Sequence, residues 1–215
     1  RDWPAVMVDY RELSQHVALS PPGLPVVYAG AGWLFEQVPP VAEAVQRAMV
    51  PLQCDNTTLL QFSAGEWSAA SVGLLMPVWA ALTLLPLAAV ARRLRLDALR
   101  LAPLWALVPA VIMFAGSWNT AYPALSVVAF WLLLRGYAAQ RGAGWWIGAG
   151  VLSGLLTFAN FSMAPVLLLF GLYALLRHWL NERQARPAWF PVRIGVWFAL
   201  GLALPWALFW LLTGS

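Results

Sequence analysis

The sequence contains no lysine, a single cysteine and few charged residues of either sign. All thirteen basic residues are arginine, and charged side chains make up 10% of the 215 residues, whereas soluble domains carry about a quarter. The mean hydropathy of +0.70 and the hydrophobic content of 61% therefore predict a membrane protein. The lone cysteine, Cys54, excludes an intramolecular disulfide.

Several motifs of soluble enzymes are also missing. The sequence has no glycine-rich phosphate loop, no cysteine cluster and no nucleophile elbow. Its pI of about 9.8 does not indicate nucleic-acid binding, because the arginines lie between long apolar runs instead of on one polar face. The chain begins at Arg1 and shows no signal peptide, so we expect it to be a piece of a longer protein.

The charges divide the chain into two regions. Residues 1–66 contain three arginines and seven acids, a net charge of −4, whereas residues 67–215 contain ten arginines and two acids, a net charge of +8. We therefore expect a polar first segment and a second region of membrane helices.

Four stretches of the chain are free of charge, and a spanning helix needs roughly 20 apolar residues. Two of these stretches, 101–134 and 142–176, are too long for one helix, and polar residues near 116–123 and 160–162 predict a hairpin turn in each. The result is an all-α, polytopic bundle of about six spans. The predicted spans cover approximately 67–91, 99–117, 120–137, 143–160, 162–179 and 193–213.

The arginines predict the orientation of the bundle, because short arginine-rich loops remain on the cytoplasmic side. The loops 92–100, 135–141 and 177–193 then share the cytoplasmic face, and residues 1–66 form an exoplasmic loop. Within that loop, the apolar stretch 24–35 is too short to span and is interpreted as re-entrant or interfacial. The pattern of residues 40–50 predicts a short amphipathic helix.

Chemistry is most plausible in the first loop, which holds seven of the nine acids. A carboxylate partly shielded from water at a membrane surface can act as a general base toward a hydroxyl, although most acids in such a loop are simply solvated. Asp9 is the preferred candidate and Asp2 the second. Arg11, beside Glu12, is placed to bind a carboxylate or a phosphate.

Two further groups of residues are candidates for substrate binding. His16 precedes the motif Ser20-Pro21-Pro22-Gly23, but no second histidine lies within ligand spacing, so metal binding is only an open alternative. On the predicted exoplasmic turn, Trp118 and Tyr122 could stack on a sugar and Asn119 could bind its hydroxyls. Anchoring at the membrane interface is the alternative for the two aromatics.

The order of these features resembles the N-terminal module of GT-C superfamily glycosyltransferases. The likeness consists of an acidic first loop, the motif Ser20-Pro21-Pro22-Gly23-Leu24-Pro25, a span that ends on Ala91-Arg92-Arg93-Leu94, and hairpins with polar exoplasmic turns. More narrowly, the sequence is similar to the branch of bacterial polyprenyl-phosphate-sugar transferases related to protein O-mannosyltransferases and the lipid A aminoarabinose transferase. It departs from their His-Pro-Pro motif, because Ser20 stands in place of the histidine.

The resemblance implies a membrane glycosyltransferase, inverting in mechanism. Asp9 matches the catalytic base of the family's first loop, with Asp2 as the alternative. The donor would be a polyprenyl-phosphate sugar, the acceptor a hydroxyl of a glycan, lipid or protein, and a divalent metal is possible. The expected location is the bacterial inner membrane, with the site facing the periplasm.

Two other functions fit the same sequence. A transporter or flippase-like protein would carry ionisable residues inside its spans or broken helices near the midplane, and the four charge-free stretches hold no such residue. A structural subunit of a larger membrane complex is the third reading.

Overall fold

The computed structural model describes residues 22–52, 61–113, 118–139 and 142–213. Within these ranges every regular element is helical and no β-strand is present, which confirms the predicted all-α class. Seven of the predicted site residues lie outside the described ranges: Asp2, Asp9, Arg11, Glu12, His16, Ser20 and Pro21.

The first three helices of the described ranges form a small cap, which comprises α1 (Gly23–Glu36), α2 (Pro39–Met49) and α3 (Ala64–Ser71). Pro39 suits the first turn of α2 because the N–H that it lacks would have no helical partner there. A capping box begins α3: the Ser63 hydroxyl accepts from the Glu66 N–H, and the Glu66 carboxylate accepts from the Ser63 N–H. The helix predicted over 40–50 is confirmed, and α1 covers the apolar stretch 24–35.

The cap continues directly into the first long helix. After α3, a 3-10 turn (Val72–Leu75) leads into α4 (Met76–Leu82) and α5 (Leu84–Arg93). Pro77 and Pro86 explain these interruptions, because a proline ring clashes with the carbonyl four residues earlier. The helix ends at a turn in which Arg95 has φ of 59°.

The next segment differs from the prediction of one span over 99–117. It forms two short helices, α6 (Ala98–Ala106) and α7 (Pro109–Met113), separated at Leu107 and Val108. Pro109 is the physical reason, because a residue that precedes proline is disfavoured in the helical region and proline itself favours a first helical position.

Four helices build the main bundle. They are α8 (Ala121–Ala138), α9 (Ala143–Ala159), α10 (Ala164–Arg177), which a π-helical turn extends over His178–Glu182, and α11 (Phe190–Thr213). The predicted break at 160–162 is confirmed, because Asn160 has an extended backbone between α9 and α10. The buried core contains Ala129, Leu133, Tyr137, Trp146, Ala149, Phe170, Ala174, Phe190 and Ile194.

Glycines allow α9 and α11 to pack in direct backbone contact. Gly150 lies against the backbone of Phe198 and Gly201, and Gly201 lies against that of Ile147. A Cβ atom at Gly154 would lie 2.5 Å from the carbonyl oxygen of Leu202. Small residues at such crossings are typical of helix packing in membranes, where the close approach supplies van der Waals contact.

Four helices of the described chain are long and apolar enough to cross a membrane: Ala64–Arg93, Ala121–Ala138, Phe161–Glu182 and Phe190–Leu212. They agree with the prediction of an integral membrane protein. The two other predicted spans correspond to α9, which is apolar but has 17 residues, and to the interrupted segment α6–α7.

One end of the bundle collects the polar turns, and we call it the Asn160 end. At the start of α8, the Thr120 hydroxyl donates to the carbonyl of Met76 at the start of α4 (3.1 Å). Tyr122 meets Asn160 at the same end. The turns predicted at 117–123 and 160–163 therefore lie together.

The other end collects the arginines, and we call it the arginine end. Because α5 and α8 both run away from the Asn160 end, Arg92 and Arg135 lie at the opposite one. The guanidinium of Arg135 covers the rings of Trp131 and Trp145, 4.6 and 5.1 Å from their centroids. The helix that begins at Asn160 brings Arg177 to this end as well.

Candidate functional site at the Asn160 end

The proline motif enters the described structure beside the α9–α10 turn. Pro22 precedes the first residue of α1, and its carbonyl accepts from the Val26 N–H (3.1 Å). Gly23 lies against the C-terminal end of α9, where a Cβ atom would be 2.5 Å from the Phe158 carbonyl oxygen and 2.6 Å from Cα of Ala159. Only glycine permits this approach, so the motif is anchored to the end of the bundle that carries Asn160.

Asn160 organises the turn at the centre of this region. Its backbone N–H still donates to Leu156 (2.8 Å), while its side-chain oxygen accepts from the Ser162 N–H (2.9 Å) and caps the short turn Phe161–Met163. The Asn160 side chain is also a hydrogen-bond partner of Tyr122 of α8, so it links the turn to a neighbouring helix.

Tyr122, for which sugar stacking is predicted, lies in the protein interior at the Asn160 end. Its side chain is 3% exposed, so the face of its ring is covered by protein. The hydroxyl reaches Asn160, and Tyr28 of α1 lies nearby. Tyr122 thus joins α1, α8 and the α9–α10 turn, and its stacking on a sugar stays a prediction.

The two other residues of the predicted turn lie close to Tyr122 in the chain. Trp118 and Asn119 belong to the 3-10 turn Trp118–Thr120, which leads into α8. Asn119 is exposed, so its amide can bind a hydroxyl from the surrounding medium. Thr120 is buried and anchors the turn through its bond to Met76.

An aromatic cluster beside Asn160 was not predicted from the sequence. The rings of Phe161 and Trp206 are stacked, with centroids 5.7 Å apart and an interplanar angle of 4°, and Phe158 meets Trp206 edge to face. The indole N–H of Trp206 donates to Thr157 (3.4 Å). Phe161 is 54% exposed, so this cluster presents an aromatic surface at the Asn160 end.

The sequence held only a weak signal for this cluster. Trp206 follows Pro205 inside an apolar run in which neighbouring aromatics look like ordinary interface anchors. Its pairing with Phe161 depends on how α11 is rotated about its axis, and the spacing of residues in the sequence does not predict that rotation.

No metal centre accompanies these groups in the part of the chain that the structure describes. There, no three His, Cys, Asp or Glu side chains are grouped as metal ligands. A divalent metal at the site stays a prediction.

Comparisons of the chain with protein-family models, with curated proteins and with solved structures found no match. The function is therefore argued from the residues and their geometry.

Proposed function

We propose that the protein is a membrane glycosyltransferase that moves a sugar from a polyprenyl-phosphate donor to an acceptor hydroxyl. The reaction takes place at the Asn160 end, where the first loop meets the turns of the bundle. Asp9 is the proposed base, with Asp2 as the alternative, and Arg11 is the proposed phosphate ligand.

The contact of Gly23 with the end of α9 is the observation that carries this proposal. It places Gly23 of the proline motif against the residues that precede the Asn160 turn. Asn119 and the ring of Phe161 are exposed at the same end. An amide and an aromatic face are suitable groups for binding a sugar.

The distribution of charge along the bundle supports the proposed orientation. The described part of the cap carries Glu36, Glu43 and Glu66 against Arg47, whereas arginines predominate at the other end. By the positive-inside rule, the arginine end is cytoplasmic and the Asn160 end faces the periplasm of a bacterial inner membrane. In this arrangement α9 and the α6–α7 segment also cross the membrane, which brings the four candidate spans to six. Helices α1 and α2 lie at the membrane interface.

The proposed reaction is one inverting displacement. The carboxylate of Asp9 takes the proton from the acceptor hydroxyl while that oxygen attacks the anomeric carbon of the donor. A new glycosidic C–O bond forms, and the bond from the anomeric carbon to the phosphate oxygen breaks. Polyprenyl phosphate leaves with the bonding electrons, and Arg11 stabilises its negative charge.

The positions of the charges favour an enzyme over a transporter. In the four candidate spans, each arginine or glutamate lies within five residues of a span end. A transport path needs ionisable groups deeper in the membrane, whereas a transferase needs its charged groups only at the surface.

The test is sugar transfer in membranes that contain the protein, with a panel of undecaprenyl-phosphate-linked sugars as donors. We expect Asp9→Asn to abolish transfer and Asp97→Asn, at the arginine end, to preserve it. Asp97 is a matched control because its side-chain oxygen caps α6 through the Leu99 N–H, a bond that asparagine retains. Equal activity of Asp9→Asn and wild type would exclude Asp9 as the catalytic base. Loss of transfer in Asp2→Asn alone would assign the base to Asp2. No transfer from any donor would overturn the function.

A further inference from the structure

A recess opens at the arginine end, on the side of the bundle away from the proposed transferase site. It has a volume of about 500 Å³ and lies between the end of α10 and the start of α11. Its walls include His178, Trp179 and Arg183 on one side and Pro191 and Val192 on the other.

An apolar groove continues this recess along the bundle. The groove has a volume of about 240 Å³ and shares Leu175, Pro191 and Val192 with the recess. Gly171 of α10 and Gly195 of α11 line it, and a Cβ atom at either glycine would meet nothing within 4 Å. The two spaces together form a mouth, which carries the polar side chains of His178 and Arg183, and a tail lined by apolar residues.

Arg183 supplies positive charge at the mouth. Its neighbours Arg177 and Arg186 are both paired with Glu182, at 2.8 and 3.1 Å. Among the residues that the structure describes, no carboxylate forms a salt bridge with Arg183, whose guanidinium lies 5.5 Å from the centroid of the Trp179 ring. The mouth therefore keeps one uncompensated guanidinium, which suits an anion.

His178 is the second polar group of the recess. Its side chain is 5% exposed, and its Nδ1 atom has no hydrogen-bond partner in the described part of the protein. A buried polar atom is normally satisfied. His178 also lines the recess, so it adds a second polar side chain beside Arg183.

We propose that this recess and groove bind one anionic glycerophospholipid of the surrounding membrane. The phosphate group interacts with Arg183 and His178, and one acyl chain lies in the groove between α10 and α11. A lipid fits because Arg183 lies at the end of the candidate spans and the groove runs along their apolar length. This proposal needs only the membrane location and is independent of the transferase function.

The first measurement is native mass spectrometry of the purified, delipidated chain with added phosphatidylglycerol or phosphatidylcholine. We expect wild type to retain phosphatidylglycerol preferentially. Each arginine near a membrane surface raises the affinity for anionic lipid about fivefold. Arg183→Gln should lower phosphatidylglycerol binding by about that factor. Arg100→Gln is the matched control, since Arg100 is an exposed arginine at the same end outside the recess, and should leave the binding unchanged.

A second pair of variants tests the groove. Gly171→Leu places a side chain in the groove, at a position where a Cβ atom meets nothing within 4 Å, and should weaken phosphatidylglycerol binding. Gly144→Leu, at an equally open position outside the groove, should not. A thermal melt checks that both variants are folded. Equal binding of the two lipids, or unchanged binding in both Arg183→Gln and Gly171→Leu, would overturn the proposal. Preferential retention of undecaprenyl phosphate over phosphatidylglycerol would also overturn it.

Discussion

The guanidinium of Arg177 donates to the carboxylate of Glu182, five residues further along the chain, over 2.8 Å. Helical neighbours on one face are normally three or four residues apart, so this pair depends on the π-helical turn His178–Glu182 and its i→i+5 spacing. The other carboxylate oxygen lies 3.1 Å from Nε of Arg186. Arg186 in turn donates to the carbonyl of Tyr137 (2.8 Å), so one carboxylate links the end of α10 to α8.

Replacing that carboxylate should loosen the arginine end. The Glu182 side chain is 12% exposed, and Glu182→Gln would leave Arg177 and Arg186 close together without a counter-charge. We expect a loss of about 1–3 kcal/mol in the free energy of unfolding, measured as a lower thermal midpoint in detergent. Asp97→Asn removes the well-exposed pair with Arg100 and should change the midpoint little. Equal midpoints for Glu182→Gln and wild type would show that the network does not stabilise the fold.

A side chain at the α9–α11 crossing should separate the two helices. Gly150→Val places its branched side chain against the backbone of Phe198 and Gly201, which is a case of overpacking that costs about 1–3 kcal/mol or more. Gly195→Ala, on the open side of α11, serves as the control. Thermal melts of both variants make the comparison, and a midpoint for Gly150→Val at or above that of Gly195→Ala would contradict the packing described.

The pairing of Tyr122 with Asn160 should be measurable as a coupling energy. Tyr122→Phe and Asn160→Ala each remove one partner, and each should cost about 1 kcal/mol of stability. The double variant should cost less than the sum of the two, because the same hydrogen bond is lost in all three. Strict additivity in unfolding experiments would show that the two side chains act independently.

Cysteine labelling can test the proposed orientation, because Cys54 is the single cysteine of the chain. With a membrane-impermeant maleimide added to intact cells, Cys54 of wild type should be labelled. In a Cys54→Ser background, Asn119→Cys should also react from outside, whereas Arg183→Cys should react only after the membrane is permeabilised. Labelling of positions 119 and 183 from the same side would refute the proposed topology. A Cys54→Ser protein without further changes is the blank.

The helical architecture could be predicted from local features of the sequence. Charge-free apolar runs form helices in the structure, and the polar cluster at 117–123 and Asn160 mark helix ends. Proline acts locally too, but its effect at Pro109 was missed. The prediction divides the run 101–134 at its polar cluster. Pro109 breaks the helix in a stretch without polar residues, so polarity does not reveal it.

The candidate site could be predicted only in part, because its residues meet across helices. The sequence by itself determined an all-α protein with membrane helices, an acidic first segment and arginine-rich loops, since these follow from composition and from interactions within a few residues. Only the tertiary structure decided that Tyr122 pairs with Asn160, that Trp206 stacks on Phe161 and that no carboxylate of the described residues pairs with Arg183. Each of these contacts depends on how helices distant in the chain are rotated and packed against one another, and an apolar membrane helix has no polar face in its sequence to reveal that rotation.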